Sequence, residues 1–301
     1  MGSPLANVPI CMLGGDTREV MLAEALARVG VDLRLVGFFP TGPLAHVAHY
    51  SDPVEACLDC RVVIGPMSNT DLAGLITTVP NPAFGPIDLT AVLRSLAPGT
   101  LLLIGVAKPI VKRLVEEHLL RLVETAAVDE IAVLNSVPTA EGAVQLAMEE
   151  TQITLHGSNC LVVGLGRCGL AITQRLLALG ARVTVAARSR SDLARAEVLG
   201  AQGLELERLA AVTDFDLVFN TVPALVLDRS YLRVLNPAAV IIDIASSPGG
   251  TDFDAARQFG IRAVHALSLP AKVAPITAGQ ILVRAVPRLL ENLLGEENHE
   301  F

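Results

Sequence analysis

A chain of 301 residues, 51% hydrophobic and 18% charged, holds enough apolar material for two cores of about 100 to 200 residues each. A formal net charge of -8, an aromatic fraction of 3% and the lack of Trp argue against nucleic acid as the main partner. The only C-x-x-C, Cys57-Leu-Asp-Cys60, lacks a second Cys/His pair at zinc spacing, so no metal and no disulfide framework are expected. No apolar run reaches the roughly eighteen residues of a membrane span, and Met1-Gly-Ser-Pro-Leu-Ala lacks the regions of a signal peptide. A soluble protein of the cytoplasm is expected.

Residues 8–13 read as a first strand, followed by Gly14-Gly15-Asp16-Thr17-Arg18 and a helix to about Arg28. Asp16 or Thr17 caps that helix, or Arg18, just inside it, holds an anionic ligand at its N-terminus. Further strands are expected at 31–37, 61–65 and 101–106, and the proline-rich stretch 79–86 as loop. Alternating strands and helices make a small parallel α/β domain, which places ligands at the carboxyl ends of its strands. Gly14 to Arg18, Ser68 and Gly105 then share one edge.

Residues 109–124 read as one amphipathic helix and 131–134 as a brief strand. Thr139 is a good N-cap for a hinge helix over 139–150. The plain reading of Thr139 and Glu141 is a cap and a first-turn charge. The sharper one is that Asn135, Ser136 and Thr139 line a substrate cleft between two domains, with Glu141 as acid or base.

The second half opens on the most informative stretch. Residues 161–163 form a buried strand, Gly164-Leu165-Gly166-Arg167-Cys168-Gly169 supplies G-x-G-x-x-G, and an apolar helix runs to Gly180. In a dinucleotide fold the first glycine makes the turn, the second admits a pyrophosphate to the backbone, and the third packs helix on strand. The next strand ends in Arg188-Ser189, where NAD sites usually carry Asp or Glu for the ribose 2′-OH. An arginine there favours NADP over NAD. A strand at 217–220 leads into Thr221-Val222-Pro223, suited to pass under the nicotinamide ribose, and one at 240–244 leads into Ala245 and Ser246. Thr251 or Asp252 can cap the following helix. A strand at 261–264, a loop at 267–275 and a helix at 277–294, kinked by Pro287, complete the pattern.

The fold class is therefore α/β, with two Rossmann-like doubly wound parallel-sheet domains joined by hinge helices around a cleft. Residues 1–134 make the substrate domain and 135–301 the dinucleotide domain, the helix 277–294 being free to pack back on the first.

The chain resembles the A-subunit family of dipicolinate synthase over nearly its whole length. The resemblance rests on Gly14-Gly-Asp-Thr-Arg18, Asn135-Ser-Val-Pro-Thr-Ala-Glu-Gly142, Val163-Gly-Leu-Gly-Arg-Cys-Gly169, Asn220-Thr-Val-Pro223, Ser247-Pro-Gly-Gly-Thr-Asp-Phe253 and Val273-Ala-Pro-Ile-Thr-Ala-Gly-Gln280. It implies a sporulation enzyme that works with the B subunit of dipicolinate synthase. Its reaction would oxidise dihydrodipicolinate, or its 4-hydroxy-tetrahydro precursor, to pyridine-2,6-dicarboxylate with NADP as hydride acceptor. A homo-oligomer in the mother-cell cytoplasm is expected with it. Ala271-Lys272 departs from the family pattern, which has glycine after Pro270. For the base, Glu141 is preferred to Asp252, His265 or Lys272, and neither periodicity nor spacing identifies it. Competing readings are an NADP-dependent dehydrogenase of the shikimate or 2-hydroxyacid type, and a nucleotide-binding regulatory subunit without chemistry of its own.

Overall fold

The computed structural model describes residues 3–295. The chain divides into two compact units, one made of residues up to Leu134 together with those from Ala274 onward, the other of Asn135–Val273. In chain order the first unit runs β1 (Pro9–Leu13), α1 (Thr17–Val29), β2 (Asp32–Val36), β3 (Ala48–Tyr50), α2 (Pro53–Ala56), β4 (Val62–Ile64), β5 (Leu75–Ile76), β6 (Ile87–Asp88), α3 (Leu89–Ser95), β7 (Leu101–Ile104), α4 (Pro109–Glu117) and β8 (Arg121–Glu124). Six of these strands form one parallel sheet in the order β3-β2-β1-β4-β7-β8, and β5 and β6 pair as a small antiparallel ribbon.

Period-two alternation sends the side chains of a strand to two faces. Ile10 and Met12 of β1 join a core with Leu22 and Leu26 of α1, while Cys11 and Leu13 join an opposite core with Val92 of α3 and Val111 of α4. Strands buried on both faces need continuous apolar runs, and Leu101–Ile104 is buried at every position. Helix α1 starts at a capping box in which Asp16 bonds the first turn and Glu19 reaches back to the Asp16 N–H, and it stops where Gly30 turns left-handed at φ 85.

Helix α5 (Asp129–Glu150) leads into the second unit. There follow β9 (Asn159–Val163), α6 (Arg167–Ala178), β10 (Arg182–Ala187), α7 (Arg190–Val198), β11 (Gln202–Glu205), β12 (Leu217–Asn220), α8 (Arg229–Leu232), β13 (Val240–Asp243), α9 (Phe253–Gln258), β14 (Arg262–His265) and α10 (Leu269–Val273). The sheet order is β11-β10-β9-β12-β13-β14, again all parallel. Ala140, Ala143 and Ala147 of α5 are fully buried against Cys160, Val162 and Phe219. The last helix, α11 (Pro275–Gly295), belongs to the first unit, where it packs on α1 and puts Leu282, Val286 and Leu290 into the core.

Several local expectations are corrected. Residues 131–134 are helical, and α5 begins at Asp129, so Thr139 is no N-cap: its Oγ1 donates to the Asn135 carbonyl at 2.7 Å inside the helix. Pro138 lies within α5 and interrupts one backbone bond without ending the helix. The helix expected over 109–124 stops at Glu117 because Leu119 takes φ 55, after which Arg121–Glu124 pairs with β7. The helix α10, expected as loop, is a turn of helix that begins with Leu269-Pro270, and the short strand β3 adds an edge strand.

The carboxyl edge of the first sheet is tightly closed at one point. A Cβ at Gly105 would overlap the backbone of Met67, in the loop after β4. Gly105→Ala is expected to cost about 1–3 kcal/mol by overpacking, measured as a lower chemical-denaturation midpoint. An unchanged midpoint would mean that the two loops are free to part.

Candidate functional site

The loop between β9 and α6 uses its three glycines in three ways. Gly164 sits at φ 87, where a Cβ would also press on Thr221 Oγ1 at 2.7 Å. A Cβ at Gly169 would overlap the Gly164 carbonyl. Around Gly166 a Cβ would meet nothing, and no side chain caps α6 there. That combination leaves helix N–H groups and dipole facing open space, which suits an anionic phosphate. Thr221 Oγ1 donates to the Val163 carbonyl at 2.9 Å and so fixes the start of the loop after β12 against β9.

A groove of about 500 Å³ runs along this loop, lined by Gly164, Leu165, Gly166, Arg188, Ser189 and Val222 among others. Arg188 is exposed at the end of β10, and among the described residues no carboxylate pairs with it. Asp192, one turn into α7, lines the groove but pairs with Arg195 at 3.2 Å. Ser189 and Ser191 share a 2.7 Å hydroxyl contact beside Arg188. Cys168 is half-buried, and burial pushes its thiol up from its ordinary value. Leu165 is buried, while Arg167 is exposed in the first turn of α6.

The loops that follow β12 and β13 are organised by Asp243, a residue with no exposure to water. Its Oδ1 accepts from Asn220 Nδ2 and the Ala245 N–H, both at 3.0 Å, and its Oδ2 from the Gly250 N–H at 2.9 Å and Thr251 Oγ1 at 2.7 Å. Asn220 in turn exchanges bonds with the Val222 backbone at 3.1 and 3.2 Å. One carboxylate therefore sets both the Thr221-Val222-Pro223 loop and the loop from Ala245 to Thr251. Four donors replace the water that a buried charge loses. His265 Nε2 meets the Ala245 carbonyl at 3.0 Å, with its ring tilted on Phe253.

In the first unit, Asp16, Arg18 and Ser68 are brought together at the strand ends. Arg18 donates Nε and Nη2 to the two Asp16 oxygens at 2.9 and 2.7 Å, and Nη2 also reaches Ser68 Oγ at 2.6 Å. Burial alone would raise Asp16, but its hydrogen bonds and charge contact with Arg18 outweigh that and hold it below the usual carboxylate range. Asp16 is at once the helix cap and the partner of Arg18, so both readings of that loop describe the same residues.

The remaining candidates scatter within the second unit. Thr251 donates to Asp243, and Asp252 caps α9 by accepting the Ala255 N–H at 2.8 Å. Ser246 is exposed on the loop after β13, and Ser136 is buried in α5. Asn135 Oδ1 is buried without a hydrogen-bond partner. Glu141 lies on a different, apolar groove with Val144, Met148 and Leu179, its 60% exposed side chain 3.5 Å from Arg175. Sequence reading misses Asp243, Asn220 and Glu19. For the first two the usable signal is a polar residue closing an otherwise apolar strand, as in Val240–Asp243 and Leu217–Asn220.

A parallel sheet in this order, with an open glycine loop at its switch point, defines a pyridine-nucleotide unit of the dehydrogenase class. Consistent with that, residues 134–248 match the family model for the D-isomer specific 2-hydroxyacid dehydrogenase NAD binding domain, and residues 9–126 that for the N-terminal domain of the dipicolinate synthase A subunit. The chain is 35% identical to the dipicolinate synthase A subunit of Bacillus subtilis (strain 168) over 97% of its own length and 99% of that protein. The crystal structure of dipicolinate synthase A chain from Bacillus subtilis superposes with a TM-score of 0.88 at 33% identity, covering 98% of this chain and 100% of that one. For the A subunit from Bacillus halodurans the TM-score is 0.87 at 32% identity, with 95% and 98% covered. The chain belongs to the A-subunit family of dipicolinate synthase.

The glycine geometry separates binding from folding. Gly166→Ala is expected to keep the melting temperature and weaken nucleotide affinity about tenfold, the loss of one charge-assisted phosphate contact. Gly169→Ala should lower the melting temperature. NADPH fluorescence titration with thermal melts checks both, and undiminished affinity in Gly166→Ala would mean that no phosphate approaches the backbone there.

Proposed function

We propose that this chain is the nucleotide-binding subunit of an enzyme that oxidises dihydrodipicolinate, or its 4-hydroxy-tetrahydro precursor, to pyridine-2,6-dicarboxylate. The reading is carried by the whole-length identity with the Bacillus subtilis protein. NADP is the hydride acceptor it favours, because Arg188 stands on the glycine-loop groove where an NAD site carries an acid. The bound nucleotide would supply two-electron redox chemistry. Gly164, Gly166 and the α6 N-terminus would hold its pyrophosphate, Arg188 and Ser189 its 2′-phosphate, and the loops at Thr221 and Ala245 its nicotinamide end.

Arg18 with Ser68 supplies positive charge and hydrogen bonding for a substrate carboxylate, with Asp16 orienting the guanidinium. Glu141 and Asp252 are the acid/base assignments of this reading, and variants of each should separate the role from helix capping and surface pairing. Glu141→Gln is the sharper of the two, because its carboxylate makes no cap. The relative is named as one lettered subunit of a synthase, which supports work in concert with the B subunit, and a cytoplasmic role in sporulation is part of the same proposal.

The test is nicotinamide absorbance at about 340 nm in a mixture of dihydrodipicolinate synthase, its substrates, NADP or NAD, and this chain with and without the B subunit. Dipicolinate should form with NADP. Arg188→Asp should lower NADP preference over NAD by at least about tenfold, the worth of one charge-assisted hydrogen bond. No reduction of either nucleotide, in either mixture, would leave a nucleotide-binding regulatory protein instead.

A further inference from the structure

The strand-end cluster of the first unit contains one more carboxylate than Arg18 needs. Glu19 Oε2 accepts the Asp16 N–H at 2.8 Å, the ordinary reciprocal bond of a capping box. Its Oε1 does something a cap does not require: it accepts the Met67 N–H at 2.9 Å, in the loop after β4. Ser68, the next residue, takes the Arg18 Nη2 contact. A single side chain thus ties the Arg18 turn to the Ser68 loop, and Gly15 lies so close over it that a Cβ would meet Glu19 Cγ at 2.6 Å.

All three charges are withdrawn from water, with Arg18 5% and Glu19 2% exposed and the Asp16 side chain at 14%. Two carboxylates against one guanidinium leave the cluster with one net negative charge. The groups that line a small cavity together with Glu19 include Leu22 from α1, Ile64 from β4, Leu103 from β7, Thr125 after β8, and Leu282 and Val286 from α11. None of them is charged, so Asp16 and Arg18 are the charges that Glu19 faces.

A substrate carboxylate arriving at Arg18 would place a third negative charge on one buried guanidinium. Like charges sharing such a site cannot all stay ionised. Asp16 is the worst candidate to take a proton, because it holds Arg18 through both oxygens. Glu19 turns to the backbone instead: its two oxygens accept the Asp16 and Met67 N–H groups, and a protonated carboxyl can still accept at both oxygens.

We propose that Glu19 is a proton-linked positioning residue, whose carboxylate takes one proton from solvent as a carboxylate ligand binds Arg18. Burial already pushes Glu19 up to about 7, so the group is poised near neutrality before any ligand arrives. The sign follows: below that value Glu19 is already protonated and binding needs no proton. Above it, each rise in pH makes the ligand pay for protonation, so affinity falls. The proposal rests on Arg18 as the carboxylate site.

The experiment is isothermal titration calorimetry of pyridine-2,6-dicarboxylate into the full chain saturated with NADP, from about pH 6 to pH 8.5. Ligand carboxylates stay ionised over that range. Repeating each titration in buffers of different ionisation enthalpy counts protons. The wild type should take up roughly one proton at about pH 8 and close to none at about pH 6, with affinity falling up to tenfold per pH unit above neutrality. Glu19→Gln should take up no proton, bind with a flat pH profile, and at about pH 8 bind about tenfold more tightly than the wild type. Arg18→Gln should weaken binding more than tenfold, and NADPH affinity should not change in either variant.

No proton uptake by the wild type at about pH 8, or uptake that survives in Glu19→Gln, overturns the proposal while leaving the Arg18 site standing. No binding to the wild type, or binding that Arg18→Gln leaves untouched, overturns the site and the proposal with it. If Glu19→Gln does not fold, proton counting on the wild type decides.

Discussion

Asp243 is the constraint on which the second unit's site depends. A carboxylate without water is costly unless its lone pairs are filled, and here four donors from two segments fill them. Those segments are the end of β12 and the loop that follows β13. Their positions are therefore set by one charge rather than by packing alone. A carboxamide in its place would keep the shape and turn at least one acceptor contact into a donor-to-donor clash.

The two units share one architecture and differ in what occupies the switch point. Both sheets run third-second-first-fourth strand across the middle, and both place a glycine at positive φ just after the first strand, Gly14 at 55 and Gly164 at 87. In the second unit the loop stays bare of side chains, so a diphosphate can reach backbone N–H groups. In the first unit Asp16, Arg18 and Glu19 fill the equivalent space with charge. The same sheet edge thus presents bare backbone N–H groups in one half and charged side chains in the other.

The parts of this structure legible in the sequence are those in which one residue type has one mechanical use. Gly164 and Gly169 are glycines because a side chain would strain or collide, and such positions can be read without knowing neighbours. The long apolar strands are legible for the same reason. Helix α5 is not, because Ile131 to Leu134 resemble a strand, and Pro138-Thr139 resembles the start of a helix. Burial of Ile131 in one unit and Ala140, Ala143 and Ala147 in the other keeps it continuous. Glu19 escapes notice because a capping box already accounts for a glutamate three residues after Asp16. Its second bond, to Met67, is made 48 residues away and has no local signature.

Helix α11 returns to the first unit after the whole second unit has been written, so the order of synthesis and the order of assembly disagree. The nucleotide-binding half is one unbroken segment, able to close its sheet while the chain is still growing. The other half, although it begins first, lacks Leu282, Val286 and Leu290 until α11 leaves the ribosome. Until then the face of β1 and α1 that carries the Arg18 cluster stays uncovered. In the growing chain, the half made first is the half finished last.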